Sequence, residues 1–297
     1  MSNVLVELSN AMVAAAEKAG ASTVLVSARR RMSASGIVYA ANLILTADHV
    51  VEQEEGITVT LSDGSVLGAK LAGRDPGSDL ALLRLERPAG KPAEISGEAK
   101  IGQLALALGR PSTGGIEASL GVVSAVGGPV RTPRGMLDRY IRTDTTPYPG
   151  FSGGPLVDSE GRVIGLNTSG FGYGAALTIP ADLAWSVAAQ LEKHGSVQRG
   201  YLGIRSQSVE ISEPAQKVLK REQAAGLVII GVEDDSPAET GGLMVGDILV
   251  GIEKHPIHDH DELFANLAGE AVGKSIAVEI LRGGKPETLN IKVGVRA

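Results

Sequence analysis

Pro149-Gly150-Phe151-Ser152-Gly153-Gly154-Pro155-Leu156-Val157 is the stretch on which the reading turns. A serine among glycines sits on a tight turn with its hydroxyl exposed, and the neighbouring backbone N–H groups are free to point at one spot. Such N–H groups can stabilise an oxyanion. The hydroxyl is a weak nucleophile at neutral pH unless a base lies beside it. That need sends the search upstream, to a histidine and an acid.

Of five histidines, only His49 and His194 lie in the N-terminal two-thirds of the chain. His194 ends a stretch of helical periodicity, where a solvated cation beside the helix C-terminus accounts for it. His49 closes an apolar strand in Ile44-Leu45-Thr46-Ala47-Asp48-His49-Val50-Val51. Asp79 opens another in Ser78-Asp79-Leu80-Ala81-Leu82-Leu83, where an acid orients the imidazole and stabilises its protonated form. Singly, each has a plainer reading: a strand-end histidine, a turn carboxylate, a serine in a Gly-rich turn. Together they run His, Asp, Ser, the chain order of chymotrypsin-type enzymes rather than of subtilisin or α/β-hydrolases.

The rest of the chain fits a β scaffold. Gly is 39 of 297 residues, well above the ~7% average. Short apolar runs at Thr23–Ala28, Ile37–Ala40, Leu43–Thr46, Ile57–Leu61, Val66–Leu71, Leu80–Leu85, Leu104–Leu108 and Val122–Val126 predict strands. Further runs at Tyr140–Thr143, Leu156–Val157, Val163–Leu166 and Ala176–Ile179 bring these to about a dozen, a double barrel or a sandwich. Residues 4–19 predict an amphipathic helix, with Asn3 as its cap and Leu5, Leu8, Met12 and Ala16 on one face. Pro180 opens a second helix that Gly195 stops. Residues 196–199 read as a linker between a first domain (1–195) and a compact α+β module (200–297).

Leu-Thr-Ala-Asp-His-Val-Val, Ser-Asp-Leu-Ala-Leu-Leu and Gly-Phe-Ser-Gly-Gly-Pro-Leu-Val resemble the three catalytic motifs of HtrA/Deg-type serine proteases. Asp158-Ser159-Glu160-Gly161-Arg162-Val163-Ile164-Gly165-Leu166-Asn167-Thr168 resembles the hairpin that follows the serine there. Tyr201-Leu202-Gly203-Ile204, Ser236-Pro237-Ala238 and Gly241-Gly242-Leu243…Gly246-Asp247-Ile248-Leu249 resemble the signature of a bacterial PDZ domain. The resemblance covers roughly residues 5–297. It implies a mainly β protein: two six-stranded antiparallel chymotrypsin-like barrels followed by a small α+β PDZ domain. Its implied activity is a serine endopeptidase of unfolded or misfolded polypeptides. Ser152 is then the nucleophile, His49 the base and Asp79 its orienter, with the Gly150 and Ser152 amides as oxyanion hole.

The resemblance also implies a specificity pocket walled by Pro147, Tyr148, Thr168, Ser169 and Gly170. Neither Thr145–Tyr148 nor Thr168–Phe171 carries a charge, so small or medium apolar side chains are expected there. Asp144 reads as loop support. Phe151 stands where the family often has Asn, which points to an altered leaving-group side of the cleft. In the PDZ module, Tyr201, Leu202, Gly203 and Ile204 would bind a terminal carboxylate, with Leu263, Phe264 and Leu267 lining the groove. A homotrimer or other homo-oligomer is implied, although the family's N-terminal aromatic contact has no match before Tyr39. The alternative is a PDZ-bearing chaperone or peptide-binding protein whose protease-like domain rests inactive. A narrow regulatory protease is a third option.

Net charge is −6, which argues against nucleic-acid and anionic-membrane partners, and no apolar run is long enough to span a bilayer. The absence of cysteine excludes a thiol nucleophile and a disulfide framework. No metal or cofactor is expected: His255, His258 and His260 read as an exposed turn before a helix, and Arg29-Arg30-Arg31 as a solvated hairpin. No signal peptide is visible in Met1–Asn10, so the chain as written reads as cytoplasmic, or extracytoplasmic if trimmed.

Overall fold

A computed structural model describes residues 3–30, 32–132, 135–171, 177–197, 199–267 and 271–296. Arg31, Ala176, Gln198 and Ala268, which fall within sequence expectations above, lie outside them. The chain divides into two units, 1–197 and 198–297, each with its own core.

In the first unit, helix α1 (Val4–Gly20) starts where the Asn3 side chain accepts the Leu5 N–H. Six strands follow: β1 (Thr23–Ser27), β2 (Ala34–Ala40), β3 (Leu43–Ala47), β4 (Ile57–Thr60), β5 (Val66–Asp75) and β6 (Leu80–Leu85). They close antiparallel in the order β1-β2-β3-β6-β5-β4. Ile37, Ile44, Leu45, Leu80, Leu82 and Leu83 have essentially no exposure. Each such side chain contributes about 1.5–3 kcal/mol of burial.

The second barrel uses β7 (Leu104–Ser112), β8 (Gly115–Gly127), β11 (Tyr140–Thr143), β12 (Pro155–Val157), β13 (Val163–Thr168) and β14 (Leu177–Pro180), closed as β11-β14-β13-β12-β7-β8. A side ribbon, β9 (Val130–Thr132) with β10 (Gly135–Leu137), falls between β8 and β11. Helix α2 (Ala181–His194) ends on Gly195, left-handed at φ 74°, whose N–H bonds the Leu191 carbonyl at 2.9 Å. Val187 and Leu191 of α2 are buried.

The second unit forms a ribbon of β15 (Arg199–Tyr201) with β22 (Gly294–Arg296), beside a sheet ordered β16-β17-β18-β20-β21. Its strands are β16 (Ile204–Glu210), β17 (Ala225–Val232), β18 (Ile248–Ile252), β20 (Ser275–Arg282) and β21 (Lys285–Lys292), with β19 (His255–Pro256) pairing β18. Helices α3 (Glu213–Leu219), α4 (Pro237–Thr240) and α5 (His260–Leu267) complete it.

Two expectations need correction. The α1 stripe packs only in its second half: Met12 and Ala16 are partly buried against the core beside the buried Ala15 and Ala19, whereas Leu5 is 74% exposed and Leu8 40%. Helix α3 was not foreseen, because its polar run has no buried side chain to mark a period.

Candidate active site

The acid is positioned first. Asp75 accepts the Ser78 N–H at 3.1 Å and the Ser78 hydroxyl at 2.6 Å, folding Asp75-Pro76-Gly77-Ser78 into a turn. Asp79 leaves that turn with φ 55°, a conformation Asp tolerates better than most residues. The residue is fully buried, and His49 and Thr168 supply donors to its carboxylate. Oδ1 accepts the His49 backbone N–H at 2.9 Å. Oδ2 accepts His49 Nδ1 at 2.8 Å and also the Thr168 hydroxyl. An ionised carboxylate only accepts, so Nδ1 carries the imidazole proton and Nε2 is left as an acceptor. His49 sits in the 3-10 turn Asp48–Val50 directly after β3, and its side chain is 15% exposed.

Ser152 lies across from Nε2 on the loop between β11 and β12. This loop is held from the other barrel by Ser35 of β2. The Ser35 N–H donates to the Ser152 carbonyl at 3.0 Å, and its hydroxyl donates to the Gly150 carbonyl at 2.7 Å while accepting the Arg110 N–H at 2.8 Å. Gly150 and Gly153 have φ of 87° and 85°, which glycine adopts without strain. The Gly150 and Ser152 N–H groups donate to no acceptor among the described residues. The nearest partner of Ser152 Oγ is the Ser169 hydroxyl, at 3.0 Å.

These residues face a cavity of about 320 Å³ that Pro147, Tyr148, Thr168 and Ser169 also line. Gly170 does not belong to that wall. Its Cα lies against the His49–Asp79 pair, where any Cβ would overlap both side chains. Thr168 touches the cavity but spends its hydroxyl on Asp79. Phe151 borders the same cavity, but its side chain packs inward. Its ring is 2% exposed, in a cluster with Ala105, Val123, Ile141 and Leu156, edge-on to Tyr148 at 5.4 Å between centroids. Burying that ring contributes about 2 kcal/mol to holding the loop. Arg29 lines the same cavity, with Nε bonded to the Met32 carbonyl at 2.6 Å, so it is not simply a solvated turn residue. Asp144 supports the strand before the loop by accepting the Val122 N–H at 2.6 Å. The contributions of Ser35 and Gly170 were missed; neither has a sequence signal beyond being small.

In the second unit, Gly203 has φ 81°, which breaks the strand between β15 and β16. Among the described residues, the Leu202 and Gly203 N–H groups donate to no protein acceptor. The Tyr201 hydroxyl bonds the Glu233 carboxylate. Leu202, Leu263 and Leu267 all lie buried in the core of the unit. Ile204 is partly buried against that core, whereas Phe264 is 55% exposed. His258 Nδ1 pairs with Glu262 at 2.9 Å, and His260 Nε2 lies 3.1 Å from the Ser206 hydroxyl.

Comparison with known proteins matches residues 34–166 to the trypsin-like peptidase domain and residues 200–293 to the PDZ domain. The solved HtrA-type protease AlgW with tripeptide is 32% identical, with TM-score 0.80, over 96% of this chain and 97% of that one. This chain belongs to the HtrA-type protease family. A second solved structure, the serine endoprotease from Yersinia pestis, has TM-score 0.79 at 29% identity, covering 96% of this chain and 98% of that one. Among curated relatives, the probable periplasmic serine endoprotease DegP-like of Pseudomonas putida (strain GB-1) is 37% identical over 87% of this HtrA-type chain and 55% of its own length. The corresponding Brucella suis protein is 34% identical over 84% and 50%. The chain thus spans about half the length of the curated relatives it matches. The two closed six-stranded barrels are the fold the resemblance implied. No described helix is long and apolar enough to cross a membrane.

Proposed function

We propose that this HtrA-type chain is a serine endopeptidase of unfolded or misfolded polypeptides. The observation that carries the reading is the His49 Nδ1 to Asp79 Oδ2 bond of 2.8 Å, which leaves Nε2 facing the Ser152 loop. Ser152 Oγ attacks the scissile carbonyl carbon while its proton passes to His49 Nε2. The carbonyl π pair moves to oxygen, where the Gly150 and Ser152 N–H groups hold the oxyanion. As the carbonyl re-forms, the C–N bond breaks and the amine leaves with the proton from Nε2. Water, deprotonated by the same nitrogen, then releases the acyl group and returns the proton to Ser152. Asp79 holds the imidazole tautomer throughout and offsets the charge of the imidazolium.

The second unit would capture peptide C-termini. The unpaired Leu202 and Gly203 N–H groups suit a carboxylate, and the β16 edge suits an added strand. Residues 1–195 would carry the chemistry, 200–297 the capture. The exposed apolar side chains Val4, Leu5, Val6 and Val13 of α1 support assembly as a homo-oligomer. The relatives named as periplasmic favour that compartment over the cytoplasm. The complete His49, Asp79 and Ser152 set weighs against the binding-only alternative.

A fluorophosphonate probe tests the reading by intact mass. One adduct on the wild type and none on Ser152→Ala is expected. No adduct on the wild type, with or without added C-terminal peptides, would overturn it.

A further inference from the structure

His49 Nε2 must take the proton of Ser152, yet it is not the hydroxyl's nearest partner. Ser152 Oγ lies 3.0 Å from the Ser169 hydroxyl and accepts the Ser169 N–H at 3.3 Å. Ser169 Oγ in turn stands 3.5 Å from His49 Nε2. The Ser169 hydroxyl therefore lies between nucleophile and base. We propose that Ser169 is a positioning residue that holds the resting Ser152 hydroxyl away from His49, so that attack begins when this contact is released. The inference rests on the endopeptidase reading above and refines the same site.

A hydroxyl has one proton and two lone pairs. If Ser152 donates to Ser169, it has no proton to offer His49. If Ser169 donates instead, that bond and the Ser169 N–H occupy both lone pairs of the attacking oxygen. Neither arrangement offers Nε2 the Ser152 proton directly and the substrate carbonyl a free lone pair at the same time. Ser169 is also held in place by its neighbours. Thr168 is bonded to Asp79, and the Gly170 N–H donates to Thr168 Oγ1 at 2.9 Å. These bonds anchor the residues on either side of Ser169, and its rotatable hydroxyl is the part that can let go. This contact is exposed, so water can fill the place of a deleted hydroxyl and the fold loses little.

The test compares rates of fluorophosphonate labelling, with kcat and KM for a peptide substrate, in the full chain and two variants. Ser169→Ala should label about five-fold faster, the order set by one neutral hydrogen bond, and should raise kcat with KM unchanged. Ser169→Thr keeps a hydroxyl and should stay nearer the wild type than Ser169→Ala does. Labelling of Ser169→Ala at or below the wild-type rate would overturn the assignment, as would a change confined to KM. A wild type that labels on Ser152 at the same rate as Ser169→Ala removes only this role. A wild type that never labels removes the endopeptidase reading, and this inference with it.

Discussion

Thr168 lies 89 residues from Asp79 in the chain, yet its hydroxyl donates to the carboxylate that orients His49. A hydrogen bond to a charged group contributes about 1.5–3 kcal/mol, and a buried carboxylate that loses one is left with an uncompensated lone pair. Thr168→Val keeps the shape and removes the donor. It should lower kcat about tenfold with KM little changed, measured by steady-state cleavage of a peptide substrate. His49, Asp79 and Ser152 were legible because each sits in a distinctive local pattern: an apolar strand ending in His, a strand opening with Asp, a serine among glycines. Ser35, Thr168 and Gly170 act only through neighbours brought close by barrel closure, so no local pattern marks their roles. The burial of Phe151 was hidden for a related reason. An aromatic beside a nucleophile looks like a cleft residue until the core beneath the loop is known.

At the scale of elements, the loop between β11 and β12 is shaped as much by what cannot fit as by what bonds. Gly153 packs so closely against the Ser35 carbonyl and the Thr46 hydroxyl that a Cβ would overlap both. Its φ of 85° would cost an L-residue roughly 1–2 kcal/mol before any clash. Gly153→Ala should therefore lower unfolding stability by at least about 2 kcal/mol in a urea titration, and detach the loop from β2. The β12–β13 hairpin depends on Asp158. Oδ1 accepts the N–H groups of Glu160 and Arg162 at 2.9 Å each, and Oδ2 accepts the Ser96 hydroxyl at 2.8 Å and Arg162 Nε at 3.0 Å. Burial opposes the charge, but these donors outweigh it and hold the carboxyl below its ordinary range. A depressed carboxylate stabilises the fold above its unfolded value, about pH 4, and that contribution disappears as pH falls through the folded value. Urea midpoints from about pH 7 down to about pH 3 should fall more steeply in the wild type than in Asp158→Asn. Strand positions were legible where burial is continuous, as in β3, whereas β8, whose first half is mostly half-buried or exposed, was marked only at Val122–Val126. Helix α3 was not legible, because periodicity reports burial and it has no buried side chain; the exposure of the first half of α1, itself expected as helix, was hidden in the same way.

The two units of the molecule have separate cores, and Trp185, the one tryptophan, lies in the first, with its ring 5.8 Å from that of Tyr39. Fluorescence therefore reports one unit and far-UV circular dichroism both. Thermal unfolding should give a single transition by Trp185 emission and a broader or two-step transition by dichroism. A C-terminal peptide should move only the step that fluorescence does not see. Coincident curves that shift together would mean that the units unfold as one. The clamp formed by Ser35 also bears on how the protein is made. A ribosome delivers His49 and Asp79 early, then Ser152, and only afterwards Thr168, Ser169 and β14. Throughout that interval the growing chain holds a base and a nucleophile but lacks the donor to Asp79 and the strand that closes the second barrel. On the endopeptidase reading, the site is therefore complete only once β14 has been made.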